Sequence, residues 1–194
     1  MTEEEKVNRR RNQIGKDKKT DMNKVAVLGT GCSVKEFDPK EFDWSIGVND
    51  IWKYVHTNDI VCLNPRKDFT PDRMKIIDES TPEHFWSQIV NYDYRPDFRK
   101  IDILPGYPET HCSLDGFPWK MNKSYCSPFV ACQVAYFYYA AHEIHLFGVD
   151  MVAHPHLNGD LCGKIKTHFI NLKAALKQKN CELIVHGSGI LKDI

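Results

Sequence analysis

The stretch Gly29-Thr30-Gly31-Cys32-Ser33 directly follows the apolar run Val25 to Leu28. Residue types in this order suit the binding of a phosphate. Glycines at 29 and 31 let the backbone turn sharply and come close to a ligand, so that N–H groups can face an anion. Ser33 adds a hydroxyl and a helix cap. Further along, Asn49 and Asn64 each close a short apolar run, and Ser127 precedes a proline and an apolar stretch, which suits a helix start with free amides. Three histidines, His154, His156 and His168, supply side chains that accept a hydroxyl proton near neutral pH. His156 is favoured as a base, because Pro155 stiffens its approach and Asn158-Gly159 offers a turn that folds it over a cleft.

Known nucleotide fingerprints are incomplete. Val34 stands where the dinucleotide loop wants a third small residue, although Asp50 sits where its ribose acid belongs. A magnesium-phosphate loop is also missing, since Ile165 follows Lys164 where serine or threonine is needed. His154, His156, Cys162 and His168 match no standard zinc spacing, so no metal site is expected. No Asp-x-Asp pair is present to hold a nucleotide sugar through a divalent ion. No cofactor is expected either.

Strand and helix must alternate to bring these residues together. The unalternating run Val25 to Leu28 reads as a central strand covered on both faces. Trp44 to Val48, Ile60 to Leu63, Ile101 to Leu104 and the segment from Glu143 read as further strands. A helix is expected over Pro71 to Glu79, with proline in its first turn. A second, capped by Ser127 with Pro128 as its first residue, runs from Phe129 to Ala141 with Gln133 its clearly polar member, so it should lie buried. A further helix is expected to open at His168. Residues 81–125 are rich in proline, aromatic and polar residues and resist assignment. The pattern predicts one three-layer α/β domain over residues 24–194 with a mostly parallel sheet.

Composition sets limits on partners and setting. The 194 residues, 42% hydrophobic, can bury a full core, and charged residues balance. This argues against a nucleic-acid binder as a whole. No run approaches the roughly 18 apolar residues of a membrane span, and no secretory signal is visible. Seven cysteines without a Cys-x-x-Cys pair suit reduced thiols and a cytoplasmic location. Residues 1–23 form a charged segment, including Arg9, Arg10 and Arg11, with too few apolar residues to order itself; a flexible tail able to touch acidic surfaces or nucleic acid is expected.

Taken in order, Leu28-Gly-Thr-Gly-Cys-Ser33, Gly47-Val-Asn-Asp50, Cys62-Leu-Asn-Pro65, Cys126-Ser-Pro128 and Leu146-Phe-Gly-Val-Asp150 resemble the small Rossmann-like bacterial sialyltransferases that modify lipooligosaccharide. They also resemble related proteins that include the archaeal 6-hydroxymethylpterin diphosphokinase. The resemblance spans about residues 24–188 and implies a Rossmann-like nucleotide-binding domain. It implies that Gly29, Thr30, Gly31 and Ser33 form the first nucleotide loop, that Asn49, Asn64 and Ser127 approach the nucleotide, and that Asp150 orients it or its ribose. Thr30 and Cys32 replace the asparagine and proline of those sialyltransferases. Their lid supplies tyrosines to the leaving phosphate and a histidine to the acceptor. The corresponding piece here, residues 151–165, has histidines and no tyrosine.

The implied activity is metal-independent glycosyl transfer from a nucleotide sugar, with a CMP-sialic-acid-like donor and a glycan acceptor. Two alternatives stay open: diphosphoryl transfer to a pterin-like alcohol, and a degenerate nucleotide-binding domain with an interaction role. Deleting residues 2–21 should leave the thermal midpoint nearly unchanged. A large loss of stability in a melting experiment would place the tail within the fold.

Overall fold

The computed structural model describes residues 24–88, 92–115, 120–151 and 159–194. The charged segment 1–23, His154 and His156 lie outside the described residues. Seven strands form one sheet: β1 (Lys24–Leu28), β2 (Trp44–Val48), β3 (Asp59–Val61), β4 (His84–Ser87), β5 (Phe98–Lys100), β8 (Glu143–Phe147) and β9 (Glu182–Val185). Their spatial order is β5-β4-β3-β2-β1-β8-β9, and every pairing is parallel. β6 (Asp102–Ile103) and β7 (Lys120–Met121) form a separate parallel pair. The strand expected over Ile101 to Leu104 therefore lies outside the main sheet and is only two residues long.

Alternate side chains of β1 belong to two cores, which is why its apolar run has no polar member. Val25 and Val27 join a cluster with Phe129, Phe169 and Leu172, whereas Ala26 and Leu28 join Met74, Ile77 and Phe85. On the first face lie α2 (Ser127–Tyr139) and α3 (Gly159–Gln178); on the second lies α1 (Pro71–Glu79). The result is the expected three-layer α/β domain of Rossmann-like type. Among the described residues no helix is long and apolar enough to cross a membrane.

Two helix starts differ from their sequence expectations. Cys126 is the N-cap of α2, so Ser127 is its first helical residue and Pro128 its second. Ser127 is thereby released from capping. α3 begins at Gly159, not at His168, which sits well inside it; Gly159 and Gly163 lower the local helix propensity and hid the start. Gln133 is fully buried on α2 because Asn122 matches it: its Oε1 accepts from Asn122 N at 2.7 Å and its Nε2 donates to Asn122 O at 3.0 Å. A second buried polar centre sits at the amino end of β3. There Asp59 accepts from Trp86 Nε1 at 2.7 Å and from the Tyr139 hydroxyl, and burial raises its carboxyl above the ordinary range.

The chain leaves β1 toward β2 and returns through β8 on the other side, so the topological switch lies between the ends of β1 and β8. At that point main chain packs on main chain. Gly29 N donates to Phe147 O and Gly31 N to Gly148 O, both at 2.8 Å. A Cβ on Gly31 would lie 2.5 Å from Asp150 Oδ2 and 2.8 Å from Gly148 O. Gly148 has φ +65°, and a Cβ there would collide with the carbonyl of Gly29. Gly148→Ala should therefore cost about 3 kcal/mol, from left-handed strain plus overpacking. In α3, open space surrounds Gly163, and Gly163→Ala should gain about 0.5–1 kcal/mol. Urea unfolding of both variants is the check, and equal stabilities would contradict the packing account.

Candidate functional site

A cleft of about 180 Å³ opens at the carboxyl edge of the sheet, between the start of α2 and the ends of β3 and β4. Leu63, Ile103 and Val130 give it apolar surface. Asn64, Gln88, Lys123, Ser124 and Ser127 give it polar groups, and Tyr125 and Cys126 complete it. None of the described residues that line it is acidic.

Each of these positions has a local cause. Asn64 follows β3, where the buried Tyr92 hydroxyl donates to its carbonyl at 3.0 Å and fixes the turn. Ser127 and Cys126 are there because Pro128 and the apolar run after it commit the chain to a helix at this point. The first turn of that helix carries no acid, Pro128 has no N–H, and the Phe129 amide reaches the Cys126 sulfur, so what the helix start brings to the cleft region is its positive end with no carboxylate against it. Lys123 lies 4.8 Å above the Tyr107 ring centre, adding a cation at the same end. Burial pushes the Cys126 thiol up to about 12.

Behind Ser124 stands His168. Ser124 Oγ and His168 Nδ1 are 3.0 Å apart, and His168 Nε2 lies 3.5 Å from Glu109 Oε1. The ring is fully buried and near-parallel to two tyrosines, with centroids 5.6 Å from Tyr107 and 5.8 Å from Tyr125. Burial lowers its pKa below the ordinary 6.5, with Glu109 opposing.

Of the residues singled out in the sequence, Asn64 and Ser127 meet in this cleft, and His168 stands one residue behind its lining. Those of the others that fall within the described residues lie elsewhere. Gly29, Gly31 and Ser33 pack on the loop after β8. Ser33 N donates to Asp150 Oδ2 at 2.9 Å, Ser33 Oγ donates to Asp150 Oδ1 at 2.6 Å, and Ser33 Oγ accepts from Gly148 N at 2.7 Å. Both carboxylate oxygens of Asp150 are thus engaged within the fold. A Cβ on Gly187 would lie 2.6 Å from one of them, so the C-terminal segment closes the same point. Thr30 and Cys32 are exposed and line no part of the cleft. Asn49 follows β2 with φ +53°, and its buried Oδ1 has no hydrogen-bond partner among the described residues. Asp50 is held by Arg73, with contacts of 2.9 and 2.6 Å. Lys164 pairs with Asp160 at 3.0 Å on the surface of α3.

Gln88, Lys123, Ser124 and Glu109 escaped the sequence reading. The run Lys123-Ser124-Tyr125 just before Cys126-Ser-Pro128 carried a signal for the middle pair, since polar residues immediately before a helix start share its anion-binding end. Glu109 carried none.

Comparison with known proteins adds two solved structures. One is the sialyltransferase CstII from Campylobacter jejuni in complex with the substrate analogue CMP-3FNeuAc; it is 18% identical, with 84% of this chain and 80% of that chain covered and a TM-score of 0.47. The other is a mutant of the alpha-2,3/8-sialyltransferase CstII, 17% identical with the same coverage and a TM-score of 0.48. Both are sialyltransferases. At these identities the likeness concerns the fold alone. No family model matches the chain, and no curated protein does.

The buried histidine makes folding sensitive to acid. A folded-state pKa below 6.5 means that the unfolded chain binds the proton more readily. Stability is therefore fully present above 6.5 and is lost as pH falls through the folded value. His186, also lowered by burial, acts in the same direction. The drop in unfolding free energy between pH 7.5 and 5 should shrink in His168→Gln, as measured by urea titration. An unchanged drop would show that the ring protonates freely in the folded chain.

Proposed function

We propose that the chain is a metal-independent glycosyltransferase that binds a nucleotide-activated sugar at the start of α2, with a CMP-linked donor as the first choice. One observation carries this reading. A helix N-terminus with no acid in its first turn, a lysine, two hydroxyls and two carboxamides converge on one cleft at the carboxyl edge of a parallel sheet, without an acidic residue among its described lining. Open α/β sheets bind their ligands at that edge.

The donor phosphate goes to the helix start, where the positive helix end and Lys123 offset its charge. The same groups stabilise the phosphate as it leaves, which is the work a divalent ion does in other transferases. Asn64 and Gln88 each present a donor and an acceptor, which suits the edge of a base or a ribose. A volume of about 180 Å³ is too small for a whole nucleotide sugar, so part of the donor extends over exposed Tyr125, whose ring offers a stacking face. The CMP preference comes from the order of sequence motifs; the cleft itself accommodates other nucleotides. The loop Gly29 to Ser33 supports the site by fixing β1 against β8, while Thr30 is exposed at a neighbouring strand end.

Calorimetric titration with CMP, UDP, GDP, ATP and NAD tests the reading. CMP should bind, and Ser127→Ala and Asn64→Ala should each weaken it about fivefold, the typical net worth of one hydrogen bond. Gly163→Ala, away from the cleft, should bind like the wild type. Binding of no nucleotide would overturn the proposal, as would CMP affinity unchanged in both cleft variants. Consumption of a CMP-sugar with an acceptor panel then separates a transferase from a domain that only binds.

A further inference from the structure

The geometry points to Ser124 as the group that touches the acceptor substrate and takes its proton, passing its own to His168, whose ring is buried beside Tyr107 and Tyr125 with Glu109 near its far nitrogen. This inference rests on the glycosyl-transfer reading. It changes the part given to histidine, because His168 is fully buried and lines no part of the cleft, so it does not reach a substrate directly.

Ser124 joins the two. The residue lines the cleft, and its hydroxyl lies 3.0 Å from His168 Nδ1 and also within hydrogen-bond reach of the Cys126 sulfur. A hydroxyl both donates and accepts, so it can receive one proton while giving up another. The buried Nε2 makes no hydrogen bond among the described residues, and the nearest acceptor is Glu109 Oε1 at 3.5 Å. A proton on Nε2 can close that gap toward the carboxylate and leaves the Nδ1 lone pair for the serine. Near-parallel Tyr107 and Tyr125 hold the ring plane in that direction, with their mutual centroid distance 4.2 Å. Among the described residues, Glu109 from the loop after β6, Tyr107 beside it and Tyr125 from the segment before α2 face the ring, with Lys123 over Tyr107 and Lys164 of α3 near Tyr125. Lowering of the His168 pKa by burial keeps the ring neutral, and so able to accept, at pH 7.

The transfer balances as follows. The acceptor oxygen forms a bond to the anomeric carbon of the donor sugar as the bond from that carbon to the phosphate oxygen breaks, and the nucleotide leaves with the electron pair. The acceptor proton moves to Ser124 Oγ, the Ser124 proton moves to His168 Nδ1, and the imidazolium faces Glu109 until solvent removes the proton.

Two measurements on the full chain test this. The first needs no sugar chemistry: ¹⁵N-histidine NMR should report His168 protonated on Nε2 at pH 7, and Ser124→Ala should move the Nδ1 resonance toward that of a free imine nitrogen. A His168 protonated on Nδ1 would overturn the relay even if the chain transfers no sugar. The second measures CMP-sugar consumption. Ser124→Ala should lower kcat by about 10²-fold or more with donor KM within threefold, as for loss of a general base. Ser124→Thr should restore most of the rate. Wild-type kcat should rise with pH through a value below 6.5, and Glu109→Gln should move that limb further toward acid. Full turnover and an unchanged pH profile in Ser124→Ala would sink the proposal. If the wild type consumes no donor, the glycosyl-transfer reading fails, while the NMR result still decides whether the serine-histidine contact has the polarity of a relay.

Discussion

The contact between the loops that follow β1 and β8 is the constraint on which the rest of the structure depends. Parallel sheets leave a crevice where the chain reverses its direction of winding, and ligands commonly enter there. In this protein that crevice is filled by main chain. Gly29 and Gly31 lie against Gly148, and Ser33 donates twice to Asp150. The two oxygens of a nearly buried carboxylate are satisfied, which is the condition for keeping such a group out of water.

Closing the switch point moves binding capacity sideways. Among the described residues, a cleft with polar lining lies over β3 and β4, under the first turn of α2. There the groups are poorly satisfied within the fold: a helix end with no acid in its first turn, exposed carboxamides and a lysine whose contact is an aromatic face. Fold and site thus divide the available hydrogen-bonding capacity. Groups near Asp150 spend theirs on each other, whereas groups near Ser127 keep theirs for something else.

Much of this was legible in the sequence, for reasons tied to particular residues. Val25 to Leu28 announced a central strand because both its faces are buried, and Pro71 and Pro128 marked helix starts because proline fits only a first turn. Asn64 and Ser127 could be singled out because each ends or begins a recognisable element. β4 and β5 were hidden: His84, Arg99 and Lys100 give no strand pattern, and pairing with neighbours decides their state. The glycine loop was half legible. Two glycines so spaced report that something approaches the backbone closely, yet sequence cannot say whether that is a phosphate or Gly148. Lys123, Gln88 and Glu109 sit on loops without period, so only tertiary structure could assemble them.

Because the lock between the β1 and β8 loops is made mostly of backbone atoms, it asks little of side chains beyond its glycines and the Ser33–Asp150 pair. The segments that shape the cleft come from other stretches of chain, around residues 63–64, 88, 103 and 123–130. Tolerance to mutation and capacity for innovation are therefore housed in separate parts of the molecule. A library built on the exposed members of the second set, Asn64, Gln88, Lys123 and Tyr125, explores new ligands and leaves the core alone, whereas randomising the first would return mostly unfolded chains.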